Sequence, residues 1–167
     1  MRTIWRTIVV TAALALAGCG FHLREQAQLP DSLKRLRLEV ADPGSLLVRD
    51  LPDALERAGA TVETAAGAGV ATLRIPVSSL APEALSVGAT ARVREYTMRY
   101  KVDIEAVDAA GGVVLPRQTI ELTRDYTFDE TQAVGVAAQE DELKKQLQRD
   151  MVQAILRRLA ALGGRPG

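Results

Sequence analysis

Few side chains in this 167-residue sequence suit covalent or acid–base chemistry. The one cysteine is Cys19 and the one histidine is His22. Cys19 closes the run Leu16-Ala17-Gly18-Cys19, where a thiol can be alkylated. A lone cysteine forms no disulfide within its chain. Once alkylated it also ceases to be a redox group, a nucleophile or a zinc ligand. A Ser-His-Asp or Cys-His relay would then have to run through His22, three residues from the modified end, and Cys/His zinc sites fail for the same reason. Carboxylates remain as candidates. Asp125, Asp129 and Glu130 lie close together in sequence, and paired acids can drive hydrolysis. Asp129 and Glu130 read more simply as turn residues ahead of a helix. Cations gather at Arg92, Arg94, Arg99 and Lys101, diluted by Glu95, and such a group can give charge-assisted hydrogen bonds to phosphate.

The setting of Cys19 identifies its chemistry. Arg2 and Arg6 precede an apolar run from Ile8 to Ala17, broken by Thr11 and too short to span a bilayer as a helix. A basic start, a short apolar stretch and small residues before a cut read as a secretory signal. A branched apolar residue followed by Ala, Gly and Cys resembles the lipobox of bacterial lipoproteins. That resemblance implies a diacylglycerol on the Cys19 thiol, cleavage before it, and acylation of the new amine. Each buried acyl methylene contributes about 0.8 kcal/mol, so several chains anchor firmly. The expected division is a leader over 1–18, a lipidated tether over 19–33, a domain over 34–162 and a tail over 163–167.

Hydrophobic residues make up 47 % of the chain and aromatics 4 %, so aliphatic side chains must fill the core. The 21 basic and 21 acidic residues balance; removing Arg2 and Arg6 with the leader leaves 19 against 21, a net charge near −2. That balance argues against nucleic acid as a partner. The sequence implies no cofactor and no metal.

Alternation and helical stripes locate the elements that must position these residues. Lys34 to Val40 alternates with period two, Leu36, Leu38 and Val40 facing one way. Asp42-Pro43-Gly44-Ser45 forms a turn and can cap a helix striped by Leu47, Leu51, Leu55 and Ala58, with Gly59 just past its end. Pro52 either kinks a helix begun at Ser45 or sits in the first turn of one begun near Leu51. Thr61-Val62-Glu63 is a brief strand before a small, Gly-rich loop. Ala71 to Leu80 alternates again, and Pro76 argues for an edge position or a bulge. Ala81 to Ala91 reads as a connection. Arg92 to Val107 is the clearest strand, with Tyr96, Met98, Tyr100, Val102, Ile104 and Ala106 on one face. A Gly-Gly turn leads into Leu115 to Phe128, the return strand of a long hairpin. Glu140 to Leu162 is an amphipathic helix with acids leading and Arg157 and Arg158 closing it, both favourable to its dipole.

Strand, helix, three strands and a helix, each with one apolar face, predict an α+β two-layer sandwich. Two helices cover one face of a mixed four-stranded sheet. The other face, carrying Arg35, Arg37, Arg74, Glu95, Arg99, Lys101 and Glu121, is polar. It is either a solvated surface of cross-strand ion pairs or a docking surface for a larger partner.

Over nearly the whole mature chain the sequence resembles the LptE (RlpB) family of lipopolysaccharide-assembly lipoproteins. The resemblance rests on Cys19-Gly20-Phe21-His22-Leu23-Arg24, on Leu29-Pro30, on Glu95-Tyr96 with Met98, and on Phe128-Asp129 before an acid-led helix. It implies a non-enzymatic protein lipid-anchored on the periplasmic side of the outer membrane. Such proteins plug the lumen of the large LptD β-barrel, help it assemble, and bind lipopolysaccharide on its way to the outer leaflet. Gly20, not Asp, after the cysteine fits sorting to that membrane. The family's lipopolysaccharide-binding basic positions fall on Ala89 and Ala137, leaving Arg92 and Arg94 as the nearest basic substitutes. Arg92, Arg94, Arg99 and Lys101 are the expected contacts for an anionic glycolipid. An anchored periplasmic carrier or scaffold without a barrel is the alternative, and a hydrolase using Asp125 and Asp129 comes last.

Overall fold

Alternating apolar residues give each strand one face that must leave water, and the fold is the arrangement that covers those faces with two helices. The computed structural model describes residues 29–87, 93–127 and 133–163. A 3-10 turn at Asp31–Leu33 leads into β1 (Arg35–Val40), α1 (Leu47–Arg57), β2 (Thr61–Glu63), β3 (Ala71–Val87), β4 (Val93–Val107), β5 (Val113–Thr127) and α2 (Ala133–Ala160). The strands form one mixed sheet in the order β2-β1-β3-β4-β5. β1 runs parallel to β2 and β3, while β3, β4 and β5 are antiparallel neighbours.

The expected two-layer α+β architecture holds, with one correction: the sheet has five strands, not four. Helix α1 returns the chain beside β1, where Thr61, Val62 and Glu63 pair in parallel with Arg35, Leu36 and Arg37. A three-residue strand has too little alternation to announce its place in a sheet. The stretch expected to connect the third and fourth strands is also largely strand. β3 continues to Val87 because β4 offers an antiparallel partner that far. Pro82 is tolerated there because β1 has already ended at Val40, opposite Ile75, which leaves that side of β3 an edge. Pro76 marks a bulge, with the β3–β4 register shifting between Arg74 and Val77. Pro52 lies inside α1, which begins before it, and α2 begins at Ala133, ahead of the expected Glu140.

The core lies between the sheet and the helices. From β4, Met98, Tyr100, Val102, Ile104 and Ala106 are all buried, as their phase predicts. Above them, α1 contributes Leu47, Leu51 and Leu55, and α2 contributes Leu147, Met151, Ile155 and Leu159, each fully buried. Burial of one such side chain is worth about 1.5–3 kcal/mol. Leu29 and Leu33 join this core, so the chain is tied into the domain from residue 29 onward. Tyr100 is buried with its hydroxyl 3.4 Å from that of Ser78, which lies 2.8 Å from the Ser45 hydroxyl. Ser45 in turn accepts from the backbone N–H of Leu47 at the start of α1.

Two turns depend on glycine. Gly59 adopts φ +90° where α1 ends, allowing Ala60 N–H to donate back to the Leu55 carbonyl. Between β4 and β5, Asp108 accepts hydrogen bonds from the N–H groups of Ala110 and Gly112, each at 2.8 Å. Gly111 there has φ +86°, and a Cβ on Gly112 would lie 2.7 Å from the Asp108 carboxylate. That turn holds β4 and β5, of 15 residues each, in register.

Candidate functional site

Strand alternation that buries one face of the sheet leaves the other as a broad polar surface. Its charges are organised by register. Glu39 of β1, Arg74 of β3 and Glu105 of β4 are direct cross-strand neighbours. Arg74 bonds Glu39 at 2.9 Å and pairs with Glu105 at 3.6 Å. Glu39 also pairs with Arg37, and Arg35 bonds Glu63 of the short edge strand at 2.8 Å. Farther along, Arg99 sits between Glu83 of β3, 2.9 Å away in an ionic contact off the hydrogen-bond axis, and Glu121 of β5. The pairs therefore extend across all five strands.

The most enclosed carboxylate on this face is Asp103, only 8 % exposed. Arg117, at an irregularity in the β4–β5 register, donates to it at 2.7 Å, and the Thr119 hydroxyl donates at 2.7 Å. Arg117 and Thr119 hold the Asp103 carboxyl below the ordinary aspartate range, outweighing the opposing effect of burial. Thr97, also buried, donates to Asp125.

The opposite face of β5 is strapped to α2 by polar bridges. Arg124 bonds Asp150 at 2.8 Å, Gln118 accepts from Arg158 at 2.6 Å, and the Tyr126 hydroxyl donates to Glu140 at 2.7 Å. Tyr126 stacks on Tyr96 with ring centroids 5.5 Å apart, and burial together with Glu140 pushes its phenol well above the usual tyrosine range. The helices are clasped by Gln148, whose side chain donates to Asp50 and to the Leu46 carbonyl. Between them lies an open groove of about 500 Å³ lined by Asp50, Asp53, Arg57, Arg149, Val152 and Gln153.

Among the described residues the expected cations Arg99 and Lys101 share the polar face of β4. Cys19, His22, Arg92, Asp129 and Glu130 lie outside the described residues, as does Ala89, and Arg94 is placed by its backbone in β4. Arg99 is on the polar face but carries two carboxylate neighbours. Lys101, two positions farther along the same face, is exposed and makes no ion pair among the described residues. Asp125 is exposed and accepts from Thr97, while Ala137 is exposed in the early part of α2. Among the described residues no group of three or more His, Cys, Asp or Glu side chains could hold a metal ion. Sequence reasoning missed the Asp103–Arg117 clamp and the β5–α2 straps. Arg124, a cation in the apolar phase of β5, was the one local signal of a partner on the facing helix.

A family model described as LptE, lipopolysaccharide-assembly, matches residues 33–159. The LPS-assembly lipoprotein LptE of Photorhabdus laumondii is 26 % identical over 148 residues, covering 89 % of this chain and 80 % of that protein. The LPS-assembly lipoprotein LptE of Yersinia pestis is 29 % identical over 149 residues, covering 89 % and 71 %. Among solved structures, the uncharacterized lipoprotein B of Nitrosomonas europaea superposes with a TM-score of 0.72 at 32 % identity, covering 85 % of this chain and 91 % of that one.

The Asp103 clamp has a pH signature. A carboxyl whose folded pKa is depressed stabilises the fold above its unfolded pKa and loses that contribution as pH falls through the folded value. Asp103→Asn therefore destabilises the domain at pH 7, and its deficit against wild type shrinks below the ordinary aspartate range. Urea unfolding of both proteins at pH 7 and pH 3 measures this; a deficit that stays constant with pH contradicts it.

Proposed function

The chain belongs to the LptE lipopolysaccharide-assembly family, and from that premise we propose that it is an outer-membrane lipoprotein serving lipopolysaccharide transport. In this reading it is held on the periplasmic side by lipid on Cys19. Its domain sits in the lumen of the LptD β-barrel, where it plugs the barrel, aids its assembly and takes part in passing lipopolysaccharide to the outer leaflet. The observation that carries the reading is the extent of the family match, which spans the whole sandwich from Leu33 to Leu159.

Physical considerations agree with it. No described helix is long and apolar enough to cross a membrane, and acyl chains on Cys19 would supply the attachment. Barrel lumens are polar, and so is the free face of this sheet. The family is named for assembly, and the described polar residues form ion pairs and straps in place of a nucleophile with its base. Arg92, Arg94, Arg99 and Lys101 are the proposed contacts for the anionic glycolipid. Lys101 is available without breaking a pair, whereas Arg99 must exchange Glu83 or Glu121 for phosphate.

Purification of the tagged full-length protein from solubilised outer membranes is expected to bring down a large β-barrel in stoichiometric amount. A lone monomer would refute the barrel partnership and favour an anchored carrier. For the ligand, the double variant Arg92→Glu/Arg94→Glu is expected to bind purified lipopolysaccharide more weakly in a direct binding assay. Unchanged binding would remove both residues from the proposal.

A further inference from the structure

We propose that Pro82 keeps two copies of this chain from joining their sheets edge to edge, by removing a backbone donor from the one open edge that has little else to protect it. The occupant it excludes is a second copy of the chain, paired strand to strand along the overhang of β3. That edge belongs to the sheet itself and stands whether or not a barrel is the partner.

A strand paired on one side only offers a row of free N–H and C=O groups to any extended chain. The order β2-β1-β3-β4-β5 leaves three such rows among the described strands. The first is β2, whose three residues are too few to hold a partner strand. The second is the outer side of β5. Pro116 sits there in a register irregularity opposite the Ile104–Ala106 segment of β4, and Arg117, Glu121, Arg124 and Asp125 are exposed along the strand. A broken ladder and charges of both signs deter pairing. The third is the overhang of β3. β1 pairs with β3 only as far as Val40 opposite Ile75, where the Ala41 N–H donates to the Ile75 carbonyl at 3.0 Å. The loop after β1 reaches Ser78 through the Ser45 hydroxyl at 2.8 Å. From 79 to 87 no described strand lies on that side of β3.

This overhang is composed for pairing in every respect but one. Leu80, Ala81, Ala84 and Leu85 are apolar, Leu85 is 57 % exposed, and Glu83 is the only charge from 79 to 87. Arg99 lies 2.9 Å from Glu83, so even that charge is offset. The stretch is already held extended by its antiparallel register with β4, so an added strand would have little left to order on this side. Pro82 stands in the middle. Register with β4 continues on both sides of it, Ala81 opposite Arg99 and Glu83 opposite Thr97. A proline leaves such a ladder whole when its missing N–H would have pointed away from the partner strand. The gap then falls in the open row, and a ring carbon takes the place of the hydrogen that an added strand would need. In a two-fold pairing of two overhangs each strand carries this gap, so the pairing meets it twice.

For the test, the full-length protein is overproduced, purified in detergent with micelles in excess, and weighed by sedimentation equilibrium over a range of concentrations. Wild type is expected to stay monomeric. Pro82→Thr restores the donor with a strong strand former and is expected to approach about twice the monomer mass as concentration rises. Pro82→Ala restores the donor with a small side chain and is expected to associate in the same direction, more weakly. Pro82 is exposed, so neither change disturbs the core, and far-UV circular dichroism checks the fold of each. Pro43→Thr, the same exchange in the exposed turn before α1, is expected to remain monomeric. Self-association of wild type, equal association of Pro43→Thr, or folded and monomeric Pro82→Thr and Pro82→Ala would each overturn the proposal.

Discussion

Everything in this domain depends on one constraint: a single sheet buries only one of its faces. Strand alternation then sorts side chains into a layer that packs under helices and a layer that does not. β4 shows the sorting most clearly. Met98, Tyr100, Val102, Ile104 and Ala106 are sealed under the helices, while Glu95, Arg99, Lys101 and Glu105 lie on the other side. A register slip of one residue would exchange the two sets, so the Asp108-Gly112 turn and the bulge near Pro76 matter beyond their own energies. Helix α2 completes the arrangement by running back along β5, where Arg124–Asp150 and Tyr126–Glu140 hold it to the edge strand.

The same constraint shapes function. A face that must stay polar but spans five strands carries many charges, and unpaired ones would repel or bind indiscriminately. Most of those described here are paired across strands, Glu39 with Arg74, Arg99 with Glu83, Asp103 with Arg117, and Lys101 is the exception. Each exposed pair contributes little to stability, commonly under about 1 kcal/mol. Their consequence is a large surface that is polar and, at these pairs, locally neutral.

Much of this was legible in the sequence. Period-two runs and helical stripes gave the two-layer architecture, the faces of β1, β4 and β5, and the buried stripe of α2 from Leu147 to Leu159. Family resemblance, carried by the residues around Cys19, agrees with the match over residues 33–159. What stayed hidden was set by tertiary partners. Thr61–Glu63 reads as a brief strand but is too short to show where it belongs, and its parallel pairing with β1 makes it the fifth strand of the sheet. Residues 81–87 contain a proline and little alternation, and are held extended by pairing with β4. Pro52 permitted two helix starts, and the burial of Leu47 against the core favours the earlier one. The ligand-contact residues were less legible: Arg99 carries a cation whose partners, Glu83 and Glu121, lie on neighbouring strands, beyond the reach of local pattern.

A small domain with no described membrane-crossing helix serves at a membrane when something ties it there, and the functional reading gives that task to Cys19. Mass spectrometry of the mature N-terminus, on protein isolated from native membranes, tests this most directly. The expected result is a chain beginning at Cys19, with a diacylglyceryl group on sulfur and an acyl group on the amine. A bare thiol, or a chain still carrying residues 1–18, would contradict it.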